Sequence, residues 1–182
     1  KNVAGVEIPK AETPKAGMPG AEEIKGAAEG LVDLIKLRTF PFGMKLFEDA
    51  DEMMAIQGLR TPTAGKFFTT CQLVTQVRTA GFTLGIVQDN LRPGASCGAN
   101  IGLEAIPGDV GSGEKMTGVW FGNQEAAAAH QAQMPRVEAG RYSGLAASPL
   151  RSSRLDPPDI CLFYASPGQM ILFINGLQYH NY

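Results

Sequence analysis

The sequence lacks the charge and the long apolar runs that mark two large classes of protein. Its 182 residues include 16 Lys or Arg and 18 Asp or Glu, a formal net charge of −2, and the basic residues are scattered. Proteins that bind nucleic acid neutralise phosphates with clustered basic residues. The longest strongly apolar run covers residues 170–174, whereas a membrane-spanning helix needs about 20 residues. We therefore expect neither nucleic-acid binding nor a membrane span.

Cysteine and histidine are also scarce, and this argues against several familiar sites. The cysteines Cys71, Cys97 and Cys161 are odd in number and widely spaced, unlike the dense, even pattern of disulfide-rich secreted modules. Neither His130 nor His180 has a second histidine at metal-ligand spacing, and no Gly-x-Ser-x-Gly motif supplies a serine nucleophile. A disulfide scaffold, a zinc finger and a serine hydrolase are all poorly supported.

The first twenty residues differ in composition from the rest of the chain. Residues 1–20 are rich in Pro, Ala, Gly and Lys without a lasting period, so we expect an extended arm or linker. Residues 21–182 are then expected to form a single domain with a core of its own. The chain starts at Lys1 instead of Met, which fits export after signal removal as well as a soluble cytoplasmic protein. The compartment therefore stays open.

Helical and strand-like patterns alternate along residues 21–182. Helical spacing and capping residues predict helices over residues 21–37, 50–57, 70–80, 97–103, 124–134 and from 167 onward. Short apolar or alternating runs predict strands over residues 42–47, 66–68, 82–87, 116–121, 142–148 and 160–165. We expect an α/β or mixed α+β fold, with a mixed sheet flanked by helices.

Two of these helices have especially clear starts. Thr69 with Gln72, and Ser166 with Gln169, match the capping box, in which two residues three apart bond each other's backbone N–H groups. The last helix continues into an apolar run over residues 170–177. For that helix we expect burial on most sides, because apolar residues do not keep to one stripe.

The segment before the fifth helix allows two further interpretations. The sequence GDVGSGEK (108–115) superficially resembles a phosphate loop but lacks the Gly-Lys-Ser/Thr ending. We expect residues 107–114 to form a flexible surface loop. Trp120 and Phe121 could border a pocket. A core strand over residues 116–121 is the more common role for such aromatics, and we expect it here.

Cys71 is the first candidate for a reactive group. With Thr69 as the cap, Cys71 is the second residue of its helix, where unpaired backbone N–H groups and the helix dipole favour a negative charge. We therefore expect a lowered pKa and an accessible thiolate, the form of cysteine that binds metals and attacks electrophiles. The alternative is a small buried side chain, since free cysteine is often buried.

Cys97 repeats this arrangement. It follows Ser96 as predicted cap and precedes Gly98, whose missing side chain would let a ligand approach closely. Together with Cys71 it could form a redox dithiol or supply two thiolates to a metal or iron–sulfur centre. Two thiolates do not complete a four-ligand site, so other ligands would be needed. The alternative is a purely structural pair, and we expect Cys161 to lie in the core.

The sequence resembles a known family in several segments that occur in the same order. They are TFPFGMKLFED (39–49), TTCQLVTQVRTAGFTLGI (69–86), CGANIGL (97–103), SPL (148–150) and PPDICLFYASPGQMILFINGLQY (157–179). Over most of the chain beyond residue 38, it is similar to the domain of unknown function 169 family.

The resemblance implies little chemistry but does concern the cysteines. Family members carry cysteines at the positions of Cys71 and Cys97, and they typically continue further, with more cysteines. It therefore implies that the domain is truncated at its C-terminal end and that the pair is half of a thiolate set. The family's activity is not established, so no catalytic residue is carried over.

Our leading hypothesis is a redox-associated protein that binds a metal, an iron–sulfur cluster or a small cofactor through Cys71 and Cys97, with Gly98 beside them. The alternative is a non-catalytic module that binds a small ligand or a subunit, in which the cysteines are structural. In that case residues 1–20 and the final helix would contact a second copy or a partner subunit. An enzyme acting on a small organic acid or aromatic is a third possibility, and nothing in the sequence names its substrate.

Overall fold

The computed structural model describes residues 19–94, 96–152 and 154–179, arranged around a four-stranded sheet. The helices are α1 (Ala21–Ile35), α2 (Ala50–Met54), α3 (Thr70–Ala80), α4 (Cys97–Asn100), α5 (Gly108–Gly111), α6 (Gln124–Gln133) and α7 (Pro167–Tyr179). Short 3-10 turns occur at Gln88–Asn90, Glu114–Met116 and Leu150–Ser152. Residues 1–18 of the predicted arm lie outside the described residues.

The sheet contains β1 (Phe42–Phe47), β2 (Leu84–Val87), β3 (Gly144–Pro149) and β4 (Ile160–Leu162), in the order β2-β3-β1-β4. All three strand pairs are antiparallel, and three isolated bridges outside these pairs run parallel. In β1, Phe42 faces Pro149 of β3 and Leu162 of β4. The α+β architecture is confirmed, and it leaves β2 and β4 as the edge strands.

Two hydrophobic clusters form the core. One contains residues of α3, of strands β1 to β3 and of the segments that flank α4: Phe42, Leu73, Val77, Ile86, Leu91, Leu103, Leu145 and Ala147. The other contains Phe47, Met53, Ala146 and Leu155. Glycine in β3 makes the second cluster possible, because a Cβ at Gly144 would lie 2.9 Å from the Met53 sulfur.

Residues 107–121 differ from their prediction. The expected flexible loop forms α5 and a 3-10 turn, and the strand predicted over residues 116–121 is absent. Gly113 and Gly118 adopt positive φ angles of 81° and 75°, which curl the chain and interrupt any extended run. Val119 and Trp120 are 70% and 75% exposed, so the prediction that this aromatic segment belongs to the core is also wrong.

Helix α7 starts as predicted but is not covered. The Ser166 N–H donates to Gln169 Oε1 at 2.7 Å, and the Gln169 N–H donates to Ser166 Oγ at 3.4 Å, which completes the capping box. However, none of the 13 residues of α7, all of them described, is buried, so the prediction of burial on most sides is wrong. Within the described parts of the chain, no helix is long and apolar enough to cross a bilayer.

Candidate dithiol site

The start of α3 places Cys71 at the protein surface. Thr69 Oγ1 accepts from the Gln72 N–H at 3.1 Å, and Gln72 Oε1 accepts from the Thr69 N–H at 2.9 Å, as predicted. Cys71 is therefore the second residue of this helix. The buried residues of α3 are Leu73 and Val77, and Cys71 lies on another side and is exposed.

Cys97 is the first residue of α4, a single turn that packs against α3. It is half-buried, and the Ser96 side chain forms no capping hydrogen bond, contrary to prediction. Gly98, beside it, is buried. A Cβ at Gly98 would lie 2.8 Å from both Leu91 Cδ1 and Glu104 Oε1, so the glycine already accommodates the protein's own side chains. A ligand contact at Gly98 stays a prediction.

The fold brings Cys71 and Cys97 together. Both are free thiols, and they are close enough for Cys97 to affect the pKa of Cys71 through a side-chain hydrogen bond as well as through its charge. The pKa of Cys71 is raised above its usual value, first by desolvation and then by these two effects of Cys97, while the Thr70 hydroxyl acts in the opposite direction. The predicted lowering of this pKa is therefore wrong. The sequence around Cys71 did not indicate that the Cys97 sulfur lies near it.

A shallow depression gives access to Cys71. Its volume is about 260 Å³, and its lining consists of Phe68, Cys71, Gln72, Thr75 and Gln76. The volume is slightly below the roughly 300–1,000 Å³ of typical ligand pockets. Gln72, Thr75 and Gln76 contribute uncharged polar groups to this lining, and the Cys71 thiol is its ionisable group. The depression therefore fits a small ligand or a metal centre better than a large cofactor.

The described residues supply no further metal ligands at this site. Among them, no group of three or more His, Cys, Asp or Glu side chains could hold a metal ion. His130 packs on the Phe121 ring, with 5.1 Å between ring centroids. The pair would thus contribute two thiolates, with the remaining ligands coming from elsewhere.

The comparison with protein families concerns nearly the whole described region. The model of the DUF169 family, described as uncharacterised ArCR, matches residues 30–182. The chain belongs to the DUF169 family. No curated protein and no solved structure matches it. The resemblance seen in the sequence is therefore confirmed, and family membership by itself assigns no chemistry to the cysteines.

Cys161 of this DUF169 chain does not lie in the core, as we had expected. It is exposed on β4, where it faces Gly43 of β1. Partial desolvation raises the pKa of its thiol. The prediction is wrong because β4 is an edge strand of only three residues, and apolar neighbours in sequence do not reveal which strands other elements cover.

Glu104 has a buried carboxyl oxygen near Cys97, and the sequence did not single it out. Its Oε1 is buried and has no hydrogen-bond partner among the described residues, and desolvation raises the pKa of its carboxyl group. This oxygen lies against Gly98, the residue after Cys97. No motif surrounds Glu104, and only its position in the fold distinguishes it from other acidic residues.

Proposed function

We propose that this DUF169 protein is redox-associated and binds a thiophilic metal ion, an iron–sulfur cluster or a small cofactor through Cys71 and Cys97. The observation that carries the proposal is the proximity of two free thiols from separate segments, on helices α3 and α4 that pack together. Cys71 is exposed, and a depression adjoins it. Two cysteines that only filled space in the core would not need this accessibility.

The chemistry of the pair supports a role as metal ligands. Thiolates are soft ligands that favour zinc, copper(I) and iron–sulfur clusters. Because the pKa of Cys71 is raised, metal binding has to displace a proton, and affinity should increase with pH until the thiol ionises by itself. Two thiolates occupy half of a tetrahedral site, so residues outside the described regions or a second molecule would complete the coordination.

The test uses the whole chain purified without oxygen. We expect bound metal, with acid-labile sulfide if a cluster is present, and a visible charge-transfer spectrum; added Co²⁺ should give a thiolate-to-metal band in metal-free protein. Cys71→Ser and Cys97→Ser should each weaken or abolish these signals. Cys161→Ser is the matched control, because it removes an exposed thiol outside the pair.

Two results would contradict this proposal. One is a metal-free parent protein that gives no band with Co²⁺. The other is a parent whose signal persists in both Cys71→Ser and Cys97→Ser. A disulfide between the two sulfurs, formed when an added oxidant removes two electrons and two protons, would support a redox dithiol instead of a metal site. Peptide mapping by mass spectrometry distinguishes that outcome.

The exposed final helix favours a second function, binding to another copy of this chain. The apolar side chains Ile171, Leu172, Ile174 and Leu177 are 40–59% exposed, and α7 contains no charged residue. Contiguous exposed apolar surface commonly marks an interaction site. Two α7 helices could pack together without repulsion between like charges, as a symmetric dimer requires. A contribution from residues 1–20 stays a prediction.

Light scattering across a range of protein concentrations tests this second function. We expect a dimer that Ile171→Lys or Leu172→Lys converts to monomer, because each places a charge in the apolar contact. Val119→Lys changes a still more exposed apolar residue outside α7 and should leave the dimer intact. A parent protein that is monomeric at every concentration would rule the dimer out.

A further inference from the structure

Two arginines lie at the C-terminal end of α3. Arg78 is in the last turn of the helix and is half-buried, and Gly81 is the C-cap, with a φ of 71°. Arg151 comes from the 3-10 turn Leu150–Ser152, far away in the sequence. Its Nη2 is 2.9 Å from the position that a Cβ on Gly81 would occupy, so both guanidinium groups reach the same end of α3.

Each of these guanidinium groups stacks on an aromatic ring. Arg78 Cζ lies 4.1 Å from the centroid of Tyr164, and Arg151 Cζ lies 5.6 Å from that of Phe40. Phe40 precedes β1 and Tyr164 follows β4, and these strands pair antiparallel, so both rings lie at the same end of the sheet. Stacking orients a guanidinium group while leaving the N–H donors at its edge free.

These donors lack acceptors. Among the described residues, neither Arg78 nor Arg151 forms an ion pair or a side-chain hydrogen bond. Arg78 Nε is buried without a partner, and so is Oγ1 of Thr39, the residue before Phe40. Buried donors without acceptors are unfavourable and rare in folded proteins.

Some other arginines of this protein do have acceptors. Arg136 donates through Nη1 and Nη2 to Gln131, at 2.6 Å in both cases. Arg141 Nε lies 3.8 Å from Glu48 Oε1. Arg38, Arg60 and Arg92 likewise form no ion pair or side-chain hydrogen bond among the described residues, and Arg136 Nε is also buried without a partner. What distinguishes Arg78 and Arg151 is that two such guanidinium groups lie at the same end of α3.

We propose that Arg78 and Arg151 form an oxyanion-binding site that takes a small ligand carrying a phosphate or carboxylate group. The planar guanidinium fork matches the oxygens of both groups, and partial burial of Arg78 strengthens the attraction. The partial negative charge at the C-terminal end of α3 disfavours an anion, and the two guanidinium charges have to exceed it. The C-terminal carbonyls of α3 do not account for the pair, because neither guanidinium group donates to them in the described structure.

This site is separate from the cysteine pair. Cys71 and Arg78 are seven residues apart, which places them on the same face of α3 about 10 Å from each other along its axis. The oxyanion site requires neither a metal nor a cofactor at the cysteines, and its test does not depend on either.

Calorimetric titration of the full chain with inorganic phosphate, and separately with succinate, tests the proposal. We expect at least one of the two to bind, with an affinity that falls as sodium chloride is added. Arg78→Gln and Arg151→Gln should each weaken binding about tenfold or more, because each removes a charge-assisted hydrogen-bond donor group. Binding of phosphate alone, or of succinate alone, identifies the ligand class.

Arg141→Gln is the matched control. Arg141 also stacks on a tyrosine, at 5.3 Å from the Tyr142 centroid, but it already has a carboxylate partner. The Arg141→Gln variant should bind the anion with the same affinity as the parent protein.

Arg151 is exposed, so Arg151→Gln should keep the parent's circular dichroism even if Arg78→Gln does not fold. No heat from either anion up to about 10 mM, a range that covers weak binding, or an unchanged affinity in Arg151→Gln, would overturn the proposal.

Discussion

Helices α3 and α7 begin in the same way and end in different surroundings. Both start with a capping box, and in both the reciprocal hydrogen bonds are present. Yet Leu73 and Val77 of α3 are at most 1% exposed, whereas α7 has no buried residue. A capping box therefore determines where a helix begins, and says nothing about what covers it.

The difference arises from the segments that each helix meets. Helix α3 packs on β2 and β3, whose apolar side chains come from distant parts of the chain. Helix α7 is attached mainly near its start. There Gln169 Nε2 donates to the carbonyls of Ile35 and Lys36, and Phe173 packs edge-on against Phe163 with 5.1 Å between ring centroids. The most apolar helix of the chain is thus the least buried.

The largest expected effect comes from truncating one leucine in each helix. Leu73→Ala should lower the free energy of unfolding by about 2–5 kcal/mol, because it removes buried methyl groups and leaves a cavity. In the monomer, Leu172→Ala, at a residue 58% exposed, should change it by no more than about 0.5 kcal/mol. Urea unfolding of both variants measures the difference. Equal losses would mean that α7 is covered in solution, which would support the dimer.

A smaller effect is expected from removing each cap. Thr69→Ala should cost about 1 kcal/mol of global stability, since α3 belongs to the cooperative core. Ser166→Ala should leave urea unfolding nearly unchanged, because α7 can open without the core. Its effect should appear as faster amide hydrogen exchange within α7 alone. A global loss from Ser166→Ala as large as that from Thr69→Ala would show that the two helices unfold together.

The cysteines show which properties of a residue local sequence patterns predict and which they do not. The sequence correctly predicted that Cys71 stands second in a capped helix and that Cys97 begins a short one. The direction of the Cys71 pKa was wrong, because it depends on desolvation and on a sulfur from another segment. The predicted burial of Cys161 was wrong for a related reason, since the sequence of an apolar edge strand resembles that of a central strand.

The arginine pair had no sequence signal at all. Arg78 looks like an ordinary basic residue near a helix C-terminus, and Arg151 lies between the strands predicted over residues 142–148 and 160–165. Only the antiparallel pairing of β1 with β4, together with the turn after β3, brings their guanidinium groups to one end of α3. Charged side chains from separate segments have no common periodicity, so the sequence does not predict that they lie close together.

The sequence by itself determined the starts of α3, α6 and α7, both bounds of β1, the α+β class and membership in the DUF169 family. These features depend on hydrogen bonds and side-chain alternation within a few residues, or on the order of whole segments. The tertiary structure decided the exposure of α7 and Cys161, the turns in place of a strand at residues 116–121, and the meeting of Cys71 with Cys97. Burial and electrostatic environment depend on which distant surfaces come together, and that is a property of the folded chain.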